Sequence, residues 1–143
     1  MTSAPRPLTL TTVPIRVGID LVSTSSVEEA LHAHGDRYLT RVYTARELDD
    51  CRAGGGVDAE CLAARFAAKE ATLKVLPAGE AGLALTAIEV RRAPSGPVRI
   101  ELSGHAAELA QEAGITDLAL SITHEAGFAA AVVVAELRKD EGR

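Results

Sequence analysis

The segment "LAARFAAKEATLKVL", residues 62–76, decides how the rest of the chain is read. At about 100° per residue, Leu62, Phe66, Leu73 and Leu76 share one stripe of a helix. Ala63, Ala64, Ala67 and Ala71 form a second surface of small residues beside it. Glu70 and Lys74 fall in the seam between the two, one turn apart, and Lys69 lies on the Leu/Phe stripe itself. A surface salt bridge between Glu70 and Lys74 would contribute only a few tenths of a kcal/mol. With apolar surfaces on both sides, the carboxylate is costly unless a cation or metal meets it. Lys69 is expected to run its stem past the core and carry its amine to a phosphate or a partner subunit.

Working outward, Asp58 is placed to cap this helix, the "AGGGVD" segment before it reads as a loop, and Pro77 stops it. Upstream, "VPIRVGIDLVS" is a strand whose interior Gly18 signals a bulge or a close backbone approach. "SSVEEALHAHG" reads as a helix capped by Ser25 or Ser26 and ended by Gly35. Thr44 and Glu47 in "TARELDDC" form the pattern of a capping box. Downstream, "LTAIEVRRA" and "PVRIELSG" are two strands around a "PSG" turn, and "HAAELAQEAG" is a helix closed by Gly114. "DLALSITHE" and "GFAAAVVVAEL" form a final hairpin around "EAG", the last strand apolar enough to be central. The order β-α-α-α-β-β-α-β-β predicts an α+β domain with a mostly antiparallel sheet and the long helix packed on it. Residues 1–12 read as a flexible arm, 13–137 as a single domain and 138–143 as a charged tail.

Composition narrows the function classes. The 143 residues suit one core, built from Leu, Val, Ile and Ala because there is no Trp. A net charge of −5 argues against nucleic acid as a partner. No run approaches the roughly 18 apolar residues of a membrane span, and "MTSAPRPLTLTTVP" lacks a secretory apolar core, so a cytoplasmic protein is expected. Cys51 and Cys61, without a CxxC pair, read as two reduced thiols.

Two further features bear on chemistry. Asp20 interrupts an apolar strand, where both propensity and burial disfavour it. If it does not face solvent, pairing with Glu70 would make a hard-oxygen site suited to Mg²⁺, which keeps waters and shares substrate phosphates. "SITHE" places Ser121, Thr123 and His124 at a strand end before a turn, where polar donors suit a phosphate or a nucleotide edge. His32 and His34 lack a third ligand and read as helix surface; capping chemistry explains the segment around His105.

Three segments in this order, "VGIDLV", "RVYTARELDD…LAARFAAKEATLK" and "LALSITHEAGFAAAVVV", resemble the holo-(acyl-carrier-protein) synthase family, the small 4′-phosphopantetheinyl transferases. The resemblance spans roughly residues 13–136, and "RFAAKEA" followed by Lys74 is its most specific piece. It implies Mg²⁺-dependent transfer of phosphopantetheine from coenzyme A to a serine of an acyl carrier protein or carrier domain, with release of adenosine 3′,5′-bisphosphate. It also implies a homotrimer with each active site at a subunit boundary. On that resemblance, Asp20 and Glu70 would hold the metal and Lys74 would face the pyrophosphate. Arg65, Lys69, Ser121, Thr123 and His124 would contact nucleotide and phosphates, the last three from a neighbouring subunit. The serine proton would pass to Glu70 or to a metal-bound water, and the residues leave both open.

The chain departs from the family's pattern in two places. Ser23 and Ser26 stand where an acidic and then a basic residue are usual, which shifts carrier recognition to Arg37, Arg41 or Arg46. "PAGEAG" stands in place of a glycine-threonine-glycine loop. These departures motivate the rival reading, a non-catalytic relative that binds coenzyme A or a carrier protein as an assembly subunit.

Overall fold

The computed structural model describes residues 3–5, 14–77 and 82–139. The arm at 1–12, the tail at 138–143 and the "PAGEAG" segment therefore fall largely outside the described residues. The domain is α+β, and among the described residues every strand pairing is antiparallel.

The central layer is a three-stranded sheet in the order β1-β7-β6, formed by β1 (Ile15–Ser23), β6 (Ile115–Glu125) and β7 (Phe128–Leu137). The apolar last strand is central, as its composition predicts. A two-residue turn joins β6 to β7, with positive φ at both Ala126 and Gly127, the twist that matches flanking strands. Strand alternation splits the sheet into two faces. Ala129, Ala131, Val133 and Ala135 of β7 are buried against α4 (Ala59–Leu73), which lies across that face.

The alanine surface of α4 explains how closely it sits: Ala63, Ala67, Ala68 and Ala71 are fully buried. Gly18 completes the approach from the strand side. A Cβ there would lie 2.1 Å from the Ala71 carbonyl oxygen and 3.2 Å from the Lys74 Cβ. Gly18→Ala is therefore expected to destabilise the protein by about 1–3 kcal/mol, because strand and helix must separate. An unchanged urea midpoint would show that the contact is softer than these distances imply.

Three helices lie between β1 and α4: α1 (Thr24–His34), α2 (Asp36–Val42) and α3 (Ala45–Asp50). The sequence reading lacked α2, whose seven residues carry little periodicity. Ser23, and not Ser25 or Ser26, caps α1 by accepting from the Ser26 amide. The capping box of Thr44 and Glu47 is present. The glycine-rich "loop" is a miniature hairpin, β2 (Arg52–Ala53) with β3 (Gly56–Val57), which turns the chain back from α3 to α4. That reversal brings Cys51, at the end of α3, to Cys61, in the first turn of α4, and the two form a disulfide with Cα atoms 5.5 Å apart. The reading of two free thiols is thus corrected; ten residues of separation say nothing about a hairpin that closes it.

Past Leu73 the chain turns rather than continuing helically to Leu76, and Lys74 occupies the C-cap. β4 (Ile88–Arg92) and β5 (Val98–Leu102) form a separate hairpin. With α5 (Gly104–Glu112) they close a second cluster in which Leu73, Leu76, Ile88, Ala106 and Leu109 are buried. Among the described residues no helix is long and apolar enough to cross a membrane.

Candidate active site

The close β1–α4 crossing sets the first group of residues. Alternation puts Gly18, Asp20 and Val22 on the helix-facing side of β1. Asp20 is half-buried there, which removes the option that it simply faces solvent. Lys74, freed from the helix at its C-cap, turns its amine toward the strand. It donates to the Ile19 carbonyl at 2.5 Å and lies 3.4 Å from Asp20 Oδ1. Glu70 is half-buried one turn earlier on the face of α4 that carries Lys74. The fold thus brings Asp20 against Lys74 where β1 crosses α4, and helical spacing puts Glu70 one turn before Lys74 on the same side of the helix.

The donor set fits Mg²⁺. Two carboxylates supply hard oxygens, and a cation already lies against Asp20 Oδ1 in the form of the Lys74 amine. Among the described residues no group of three or more His, Cys, Asp or Glu side chains could hold a metal ion. Mg²⁺ commonly keeps several waters and is bound through one or two carboxylates together with substrate phosphates.

A second group lines a cleft of about 390 Å³ between the N-terminal half of α4, the edge strand β6 and the β4–β5 hairpin. Arg65, Arg92, His124, Ser121 and Cys61 border it. Arg65 is 7% exposed, and its Nη1 donates to Cys61 Sγ at 3.0 Å. Its Nη2 lies 3.8 Å from Asp50 Oδ2, which also meets Arg91 at 3.1 Å. The buried Arg65 Nε has no hydrogen-bond partner. Burial pulls the Arg65 pKa down, and Asp50 and Glu47 oppose that pull. A buried guanidinium with an unfilled donor at a cleft wall is suited to an anion. His124 closes one side with Nδ1 3.0 Å from Glu60 Oε1.

Lys69 goes elsewhere. Its amine and the Glu47 carboxylate are both fully buried, 2.7 Å apart. It also donates to the carbonyls of Leu85 and Ile88. The expectation that Lys69 reaches a nucleotide, a phosphate or a partner is corrected: the amine turns inward because a buried carboxylate meets it there. Burial lowers the Lys69 pKa and the Glu47 charge opposes that shift. Thr123 is exposed, opposite Ala130 in the sheet, and is not among the residues that line the cleft.

Arg92 was missed by sequence reasoning; its one signal was the Arg91–Arg92 pair at a strand end. Of the proposed carrier contacts, Arg46 is engaged by Glu89 and Glu101, whereas Arg37 and Arg41 are exposed one turn apart on α2.

Comparison with known proteins gives a consistent picture. A family profile described as the 4′-phosphopantetheinyl transferase superfamily matches residues 16–133. The holo-[acyl-carrier-protein] synthase of Desulforudis audaxviator is 41% identical over 119 residues, 83% of this chain and 90% of that protein. That of Chloroflexus aurantiacus is 45% identical over 130 residues, 82% of this chain and 95% of that protein. Among solved structures, the Helicobacter pylori holo-[acyl-carrier-protein] synthase in complex with coenzyme A superposes with a TM-score of 0.74 at 32% identity. That match covers 85% of this chain and all of the other. An ACPS–CoA complex from Chronobacterium ammoniagenes gives a TM-score of 0.75 at 30% identity, over 87% of this chain and 98% of that one.

Proposed function

This chain belongs to the 4′-phosphopantetheinyl transferase superfamily, and from that premise we propose which of its residues carry out the transfer. The protein is a holo-[acyl-carrier-protein] synthase: it moves phosphopantetheine from coenzyme A to an acyl carrier protein. The carrier serine oxygen attacks the pantetheine-bearing phosphorus, the pyrophosphate P–O bond breaks, and adenosine 3′,5′-bisphosphate leaves.

Asp20 and Glu70 would hold Mg²⁺, which supplies charge neutralisation at the pyrophosphate when bound. Lys74, already oriented by the Ile19 carbonyl, offsets charge on the departing phosphate. Arg65, Arg92 and His124 bind the nucleotide phosphates, and Arg65 is the anchor because its charge is buried and one donor is unfilled. Glu70 accepts the serine proton in this reading. The exposed Arg37 and Arg41 pair is the proposed docking face for the carrier.

The observation that carries the proposal is the contact of Asp20 with Lys74 at the Gly18–Ala71 crossing, with Glu70 one helical turn before Lys74. Its test is mass spectrometry of several apo-carriers incubated with coenzyme A and Mg²⁺. A phosphopantetheine mass gain on at least one is expected, and coenzyme A binding without any gain would favour the non-catalytic rival.

The same proposal includes a homotrimer with its active sites between subunits. Two observations support it. Arg65 and Glu70 project about 140° apart around α4, so one chain presents two half-sites on different faces. The outer face of the sheet is apolar along β1: Ile15, Val17, Ile19 and Leu21 are 44–65% exposed. Val132 and Val134 lie beside Ile19 and Val17. A patch of this kind marks an association surface. Ile19→Glu is expected to convert the assembly to monomers in sedimentation velocity, with loss of transfer. A monomeric wild-type protein with full activity would rule the assembly out.

A further inference from the structure

The Cys51–Cys61 disulfide is unused by the proposed chemistry, yet it forms part of the wall of the nucleotide cleft. Its two sulfurs differ. Cys51 is 1% exposed in the core, whereas Cys61 is half-buried and lines the cleft with Arg65 and Arg92. Accessible disulfides are the labile ones, open to exchange with small thiols. Cys61 sits in the first turn of α4, and the Arg65 Nη1 reaches its Sγ at 3.0 Å. A helix N-terminus and a neighbouring guanidinium both favour a cysteine thiolate over the thiol.

We propose that Cys51–Cys61 is a redox-active pair that sets how strongly the Arg65 cleft holds the phosphates of its nucleotide, with low-molecular-weight thiols as co-reactants. The inference rests on the assignment of that cleft to coenzyme A. A small thiolate attacks the accessible Cys61 Sγ and forms a mixed disulfide. The Cys51–Cys61 bond breaks and Cys51 leaves with the electron pair, then takes up a proton. A second small thiol attacks the mixed disulfide and releases the small disulfide, leaving Cys61 reduced. Two thiols are oxidised and one protein disulfide is reduced; reoxidation is the reverse, with the Cys61 thiolate as nucleophile.

The closed bond favours phosphate binding for two reasons. It ties the end of α3, with Asp50, to the first turn of α4, so Arg65 is held in place by a fixed neighbour. The disulfide sulfur is also uncharged and leaves the guanidinium's charge for the ligand. Once the bond opens, a Cys61 thiolate beside Arg65 competes with phosphate for that charge, and the helix turn is released. The oxidised protein is therefore the tighter binder.

The test uses adenosine 3′,5′-bisphosphate, which has no thiol of its own, titrated calorimetrically into the full chain in the oxidised state and after phosphine reduction. Reduction is expected to weaken binding about 3–10-fold, the scale of ordering one long side chain. A Cys51→Ser/Cys61→Ser variant should ignore the phosphine and bind between the two wild-type values, because it releases the helix turn but carries no thiolate beside Arg65. In parallel, alkylation and mass spectrometry across glutathione ratios should show two thiols appearing together. Equal affinities in both states overturn the inference, as does a pair that opens at no glutathione ratio. Carrier modification with redox-independent binding defeats this inference alone. Absence of bisphosphate binding in both states, with thiols that titrate, defeats the assignment of the cleft as well.

Discussion

Replacing Asp20 or Glu70 with alanine is expected to lower kcat/KM for carrier modification by about 10²–10⁴-fold, the scale seen when charge stabilisation is removed from a transition state. Asp20→Asn and Glu70→Gln should fall as far, since they keep shape and remove only the charge that would hold Mg²⁺. The loss should lie mainly in kcat, because the phosphate contacts proposed for Arg65 and Arg92 are untouched. Metal removal with a chelator should abolish transfer, and added Mg²⁺ should restore it in the wild-type protein. A direct reading comes from Mn²⁺ as a paramagnetic probe: the wild-type chain with coenzyme A should bind it, and both variants should bind it at least about tenfold more weakly, as expected for a lost charged ligand. For Asp20 the effect should not be confounded by unfolding, because its pair with the largely exposed Lys74 contributes little to stability. Full activity in either alanine variant would end the assignment of that residue.

Lys69→Met is expected to cost about 3–5 kcal/mol of stability, a large share of what a small domain has. The reason is what it leaves behind. Glu47 Oε1 accepts from the Thr44 amide at 2.9 Å and meets the Lys69 amine at 2.7 Å. Its Oε2 accepts from the Val90 amide at 2.9 Å. One carboxylate therefore joins α3, β4 and α4, and without Lys69 its charge is buried uncompensated. Adding Glu47→Gln to Lys69→Met should recover part of the loss, because a neutral amide replaces the stranded charge. Urea midpoints of the two single variants and the double variant measure this. The sequence-based role for Lys69 makes the opposite forecast: an unchanged midpoint and a raised KM for coenzyme A. The two outcomes separate cleanly.

Lys69 also shows where sequence reasoning stops. Helical spacing placed it on an apolar stripe, but the stripe does not say whether its amine turns outward to water or inward to an acid. Glu47 was legible as a capping residue, and its second role depended on β4 arriving beside it. Ser121 and His124 were legible as strand-end donors and do line the cleft, while Thr123, two residues from Ser121, is not among the residues that line it. The disulfide was hidden because a six-residue hairpin too short for any periodic signal closes it.

By itself the sequence determined the α+β class, the central last strand and the family resemblance, and it narrowed Gly18 to a bulge or a close approach. Each follows from local rules: period, turn chemistry, the absence of a side chain, or the order of motifs along the chain. The tertiary structure alone decided that Lys69 is structural, that Cys51 and Cys61 are joined, and that Arg92 belongs with Arg65. It also decided that the cleft beside Arg65 and the Asp20–Lys74 group lie on different faces of one helix. These depend on which groups meet across long stretches of chain, and a charge's role is set by the partner and the dielectric around it, which no local pattern specifies.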